Sequence, residues 1–187
     1  MAYWIWSVLV LAGLLFAAKM TYLVSTALVL PATQGALYVS TSGTRIRAFL
    51  DAVPMAVDNL LVDLGCGDGR VLRSASQRYG IRAVGYELNP LAYLRARWRC
   101  RGRKRVRVIH ANFWQADLSR ADVIFCYLFP DVMKRMAAKI RAEAKPGAVV
   151  VSCNFPLPGC TACQVLRPAG ARHHDPIYIY RIDSPPV

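Results

Sequence analysis

The chain has 187 residues, enough for one domain with a sizeable core plus a short appendage. Its 24 Lys and Arg against 11 Asp and Glu give a formal net charge of +13, which predicts an anionic neighbour: nucleic acid or the negative face of a membrane. The six cysteines are scattered and demand no disulfide framework, so a reducing compartment is expected; internal repeats and low-complexity tracts are absent.

The first segment is uncharged from Ala2 to Ala18, broken by Lys19, and apolar again from Met20 to Leu30 except at Thr21, Ser25 and Thr26. A spanning helix needs roughly 20 apolar residues. Lys19 can snorkel to the interface, which lets the helix run to Leu30, where Pro31 is expected to end it. Tyr3, Trp4 and Trp6 suit an interfacial aromatic belt. No basic residue precedes the apolar run, which argues against a cleaved signal peptide; a buried core helix is the other reading. The first positive charges, Lys19, Arg45 and Arg47, all follow the run. The expectation is therefore a single-pass membrane protein, in a bacterial inner membrane, with its globular part in the cytoplasm. Residues 1–30 are assigned to the anchor, 31–58 to a connector and a pre-domain helix, and 59–187 to the domain. The stretch from Pro31 to Tyr38 reaches at most about 28 Å when extended, which keeps the domain near the head groups.

A helix is predicted from Thr44 to Val53 and a buried strand from Asn59 to Leu64. Gly65-Cys66-Gly67-Asp68-Gly69 then breaks the chain into a tight turn, and a helix follows to Tyr79. Glycines there let the backbone turn and approach a ligand closely. A second strand, Ile81 to Tyr86, delivers the carboxylate of Glu87, about 20 residues on, where it can accept hydrogen bonds from a ribose. Dinucleotide sites usually show G-x-G-x-x-G and hold a pyrophosphate at the helix N-terminus. Here Asp63 and Asp68 flank the turn. Their charge would repel a pyrophosphate and suits a ligand with an ammonium or sulfonium group.

Asn89-Pro90 has the cap and first-turn residues of another helix. Strands follow at Val106–Ala111, Ala121–Leu128 and Ala148–Cys153, with a helix from Pro130-Asp131 to Lys145 before the last. Cys163–Leu166 and Ile177–Ile182 are predicted to form a terminal antiparallel hairpin. Arg95, Arg97, Arg99, Arg101, Arg103, Arg105 and Arg107 recur at every second residue. That spacing defines no single helical face, and Arg105 and Arg107 would protect an edge strand. Three readings stay open for the run: a solvated face, contact with anionic lipid, and nucleic acid, the last without a recognised binding module. Cys160-x-x-Cys163 has the spacing of half a zinc site or of a redox pair, with His173 and His174 ten residues on; no metal site is expected.

The Asp63-to-Gly69 loop with Glu87 resembles motif I and the following acidic residue of class I S-adenosylmethionine (AdoMet) methyltransferases. Tyr38-Val39-Ser40-Thr41, Val62 to Arg70, Gly85-Tyr86-Glu87-Leu88-Asn89-Pro90 and Asn154-Phe155-Pro156-Leu157-Pro158 are similar to a membrane-anchored protein-lysine methyltransferase family. Its eukaryotic members act on the c subunit of ATP synthase and on the adenine nucleotide translocase. The resemblance runs from about Tyr38 to Pro158. It implies a doubly wound, Rossmann-like α/β domain with a mostly parallel sheet behind an N-terminal transmembrane helix. It also implies AdoMet as cofactor, held by Tyr38, Thr41, Asp63, Gly65, Cys66, Gly67, Asp68, Gly69, Glu87, Leu88, Asn89, Asn112 and Phe113. The family tends to have Asp-Leu-Trp where this chain has Asn112-Phe113-Trp114; the Asn carbonyl can still accept from an adenine amino group.

The acceptor is expected beside Cys126-Tyr127-Leu128-Phe129-Pro130-Asp131, where this fold places it. Tyr127 and Phe129 would flank an ammonium by cation–π contact and Asp131 would orient it. The plain alternative makes the two rings core residues and Asp131 a helix cap. The function implied is methylation of a lysine in a membrane protein. A lipid or other small-molecule acceptor, and a non-catalytic AdoMet-binding scaffold, are the competing readings.

Overall fold

The structure is a computed structural model that describes residues 3–33, 41–168 and 175–183. The first helix, α1, spans Tyr3–Thr33. Its segment Tyr3–Thr21 is long and apolar enough to cross a membrane, and none of that segment is buried in the rest of the chain. The core-helix reading therefore fails: Trp4 and Trp6 are each 66% exposed. The helix also passes Pro31 by two residues, against the expectation that proline would stop it at Leu30. A proline lacks one N–H for the preceding turn, and near a helix end that single loss does not prevent the last residues from staying helical.

The domain is built on one seven-stranded sheet in the order β3-β2-β1-β4-β5-β7-β6. Its strands are β1 Leu60–Leu64, β2 Arg82–Glu87, β3 Val106–His110, β4 Val123–Cys126, β5 Val149–Cys153, β6 Gln164–Leu166 and β7 Ile177–Arg181. The first five are parallel, while β7 pairs antiparallel with β5 and β6. The terminal hairpin and the parallel order agree with the sequence reading. The chain leaves β1 toward β2 on one side and reaches β4 on the other, so a crevice opens at the carboxyl end of β1, where such sheets bind ligands.

Period-two alternation assigns each strand residue to a layer. Leu61 and Phe125 face α2 (Gly43–Ala52) and α3 (Arg70–Tyr79), where they meet Phe49, Leu50, Leu72 and Ala75. Phe49 and Phe125 lie with ring centroids 5.2 Å apart. Val62 and Ile124 face the other way, onto Val132, Met133, Met136 and Ile140 of α5 (Pro130–Glu143). Between β2 and β3 runs α4 (Pro90–Cys100); Asn89 caps it by accepting from the amides of Leu91 and Ala92 at 3.0 and 3.1 Å. Pro90 occupies the first turn, where no N–H is needed.

The arginine run does not act as a unit. Arg99 bends inward to the Asp68 carboxylate. Arg105 donates to the carbonyls of Val57 and Gly80 at 3.0 and 2.7 Å, and so serves the C-terminal end of α3. Arg97 donates to the Tyr93 hydroxyl. Arg107 stands exposed on the edge strand β3, as expected. Cys160 approaches Arg141, and Cys163 donates to the Ile179 carbonyl, so the two thiols have separate neighbours. The described residues hold no group of three metal-ligating side chains, and His173 and His174 lie outside them.

Gly85 in β2 is where the sheet meets the glycine turn. A Cβ there would lie 2.5 Å from Leu72 Cδ1 and 2.6 Å from Cys66 Cβ. Neither neighbour can retreat from a packed interior without displacing the turn or α3. Gly85→Ala should destabilise the fold by about 1–3 kcal/mol, read as a lower denaturant midpoint at an unchanged slope.

Candidate cofactor and acceptor site

Three features shape the turn after β1. Gly65, Gly67 and Gly69 take φ of 85°, 56° and 74°, the left-handed region that side chains avoid. The amides of Gly65 and Cys66 both donate to the Tyr86 carbonyl, at 3.0 and 2.9 Å, which staples the turn to β2. Gly69 then begins α3 with no side chain capping it, so the helix N-terminus stays open toward the turn.

Three buried carboxylates surround this turn, and each is handled differently. Asp68 is 3% exposed and is gripped by Arg70, at 2.8 Å, and by Arg99. Burial pushes its carboxyl up, but the two guanidiniums outweigh that and hold it below the usual carboxylate range. Glu87 accepts from the amides of Gly67 at 2.8 Å and Asn89 at 2.7 Å. Burial dominates for this group, so its pKa stands above the ordinary value despite those bonds. Asp63 is 2% exposed, and its Oδ2 has no hydrogen-bond partner among the described residues. Burial first, then the charges of Glu87 and Asp68, lift its pKa well above the ordinary value. A buried, under-compensated negative site fits a ligand carrying a sulfonium and an ammonium, and disfavours a pyrophosphate.

The remaining expected cofactor residues lie around this turn or at strand ends. Cys66 is buried against Gly85. The Leu88 carbonyl meets His110 Nε2 at 3.0 Å. Asn112 Oδ1 accepts from the Trp114 amide and so starts the short 3₁₀ turn Phe113–Gln115, with Phe113 buried beside it. The Thr41 carbonyl accepts from Arg70, which fixes the pre-domain segment to the start of α3. Tyr38 lies outside the described residues.

On the far side of β1, the end of β4 and the turn after β5 enclose a cavity of about 60 Å³. Its walls are Tyr127, Leu128, Phe129, Asn154 and Phe155. Leu128 links it to the glycine turn: a Cβ on Gly65 would sit 3.8 Å from Leu128 Cδ2. Asn154 is the one described non-glycine residue with positive φ, at 76°. Its amide donates to the Pro176 carbonyl at 2.8 Å, which holds the turn in that conformation. Sequence reasoning quoted the Asn154-to-Pro158 string but gave it no role. It counted Arg45 only among the first positive charges after the apolar segment and gave it no place in the site. This residue is 5% exposed, donates to the Tyr127 hydroxyl at 3.1 Å, lies 5.4 Å from that ring's centre, and pairs with Asp175. Asp131 stands exposed in the first turn of α5, outside the residues that line the cavity, where a carboxylate complements the helix dipole.

The family model described as ANTKMT methyltransferase domain matches residues 63–164. A protein-lysine N-methyltransferase of Saccharolobus islandicus is 30% identical over 78% of this chain and 92% of its own length. A lysine N-methyltransferase of the ATP synthase c-subunit, from Xenopus laevis, is 32% identical over 73% of this chain, which covers 62% of that relative. Among solved structures, an RNA methyltransferase of Salinibacter ruber bound to S-adenosyl-L-homocysteine superposes with a TM-score of 0.73 at 26% identity. The match covers 80% of this chain and 97% of that one.

Asp63 gives a stability test. Its folded pKa is raised, so it contributes stability that is present below its ordinary pKa of about 3.9 and is lost as pH rises through the folded value. Asp63→Asn carries no charge to strand. The variant without ligand should melt above the native protein, and the gap should widen from acidic to neutral pH in thermal scans. AdoMet affinity should fall about tenfold or more, the loss of one charge-assisted contact worth about 1.5–3 kcal/mol.

Proposed function

Because this chain belongs to the ANTKMT methyltransferase family and is an AdoMet-dependent class I methyltransferase, we propose that it methylates a lysine of a membrane protein close to the bilayer surface. The observation that carries this reading is the aromatic cavity of Tyr127, Phe129 and Phe155, which shares the wall of Leu128 with the cofactor turn. Two lines support it further: both relatives are named lysine N-methyltransferases, and α1 is long and apolar enough to anchor the domain. On this reading the domain faces the cytoplasm.

AdoMet supplies a methyl group on a sulfonium. Asp63 and Glu87 would hold the cofactor, through its positive charge and its ribose respectively, with the amides of the glycine turn and of Leu88 beside them and Asn112 at the adenine. Tyr127, Phe129 and Phe155 would exclude water from the lysine side chain and direct its nitrogen. That nitrogen must be neutral to react, whereas lysine is ordinarily protonated at neutral pH, with a pKa of about 10.4. Two things lower it here: the apolar walls desolvate the cation, and Arg45 puts a guanidinium behind Tyr127. Arg45 is thus a positioning residue that also favours the unprotonated amine, and no carboxylate is needed inside the cavity.

Two measurements test this. Labelled AdoMet incubated with the full chain and membrane extract should place label in a protein band. Label in the organic phase or in RNA would overturn the lysine reading, and cofactor binding without any transfer would leave only a scaffold. Arg45→Gln should raise the acceptor's pKa, so the rise of kcat/KM with pH should move to higher pH, and Arg45→Lys should restore it. An unmoved profile would remove the electrostatic role.

A further inference from the structure

A second concavity, of about 730 Å³, is lined by residues of α2, α3 and α4 and of the turn after α4, none of which lines the cavity of Tyr127. Arg70 and Arg73 of α3 form one wall; Arg99, Arg101 and Arg103 form the other, with Trp98. No Asp or Glu is among its lining residues. Five guanidiniums on one concave surface repel one another, and among the described residues Asp68 pairs with Arg70 and Arg99. An anion is the missing partner, and guanidiniums bind phosphate oxygens in bidentate fashion.

The surroundings indicate which anion. α1, the apolar helix, touches α4. On α4, Trp98 and Leu94 are 61% and 56% exposed, and Arg101 lies over the Trp98 ring at 4.9 Å. An indole beside basic residues is the arrangement found at membrane interfaces. The volume also exceeds what a bare phosphate fills.

We propose that this groove binds the phosphodiester head group of an anionic glycerophospholipid, and that the head group is linked to the cofactor turn because Arg70 and Arg99 serve both. Whatever draws those two arginines toward the groove takes neutralising charge from Asp68. The turn becomes more negative and attracts a cationic cofactor more strongly. The site does not depend on which acceptor the enzyme methylates; the linkage rests only on AdoMet binding at the turn.

The test uses the full chain in nanodiscs of phosphatidylcholine, alone or mixed with phosphatidylglycerol, followed by hydrogen exchange and by AdoMet calorimetry. Phosphatidylglycerol should slow exchange at residues 70–74 and 98–103 and tighten AdoMet binding by about threefold or more, within the usual range of coupling between sites. Arg73→Gln with Arg103→Gln, which leaves Asp68 and its two partners intact, should abolish both effects yet bind AdoMet as the native chain does in phosphatidylcholine. That last measurement also shows that the variant is folded. Equal protection by inorganic phosphate in phosphatidylcholine discs would overturn the lipid assignment. Protection by a short RNA and not by phosphatidylglycerol would also overturn it, as would no protection by any of the three. Protection without tighter AdoMet binding would leave the head-group site and overturn the linkage.

Discussion

A carboxylate buried at the carboxyl end of the central strand, with one oxygen unpaired, is the constraint from which the rest of the site follows. Asp63 sits where β1 must be apolar to be a core strand, between Leu61 and Leu64. Two further carboxylates within the same few residues would be untenable if all three were left alike. The fold separates them. Asp68 is neutralised by two arginines, Glu87 is tied to two backbone amides, and only Asp63 keeps an unsatisfied oxygen. The tight turn is what makes this possible. Its left-handed glycines bring the amide of Gly67 to Glu87, and Gly85 leaves room for Cys66 to press against β2.

The same turn fixes the second half of the site. Because β4 lies directly beside β1, the residues after β4 pass over Gly65, and Leu128 becomes a wall common to the two compartments. Methyl transfer depends mainly on holding two reactants in line, and on the proposed reading the wall of Leu128 would set the two beside one another. On that reading the acceptor side would desolvate an amine, which aromatic rings do, and disfavour its protonated form. Arg45 would supply the positive charge that disfavours it, through its guanidinium beside the Tyr127 ring. Its ion pair with Asp175 helps keep it in place behind Tyr127.

Local features of the sequence were readable, and contacts between distant segments were not. The glycine turn, the alternation of strands and helices, the Asn89-Pro90 helix start and the terminal hairpin are all written within a few residues, and the structure has them where they were expected. Arg45 and Tyr127 are 82 positions apart, so nothing in either neighbourhood pairs them. Arg99 is hidden differently. It belongs to a run with an even spacing, and only the direction of α4 decides that this one turns inward to Asp68 while Arg107 turns out. Asn154 had one signal, a small polar residue directly after a strand, since asparagine tolerates the left-handed region better than most. Asp131 follows a proline at a helix start, and its place in the first turn of α5, with Phe129 as the cap, comes from where the helix begins.

The net charge of +13 therefore describes no uniform surface. Negative charge is gathered in the interior at the carboxyl ends of β1 and β2, and positive charge on α3, α4 and the turn after them. Arg70 and Arg99 belong to both regions, one side of each facing Asp68 and the other the basic groove. A cation entering the turn and an anion entering the groove act on the same two side chains. Each relieves a repulsion that the other leaves in place, so the two ligands favour one another through electrostatics alone, without any change of fold. An enzyme with this charge pattern is best supplied with cofactor when its basic face meets an anionic surface. That is also where a domain held close to a bilayer by a short connector would meet its acceptor.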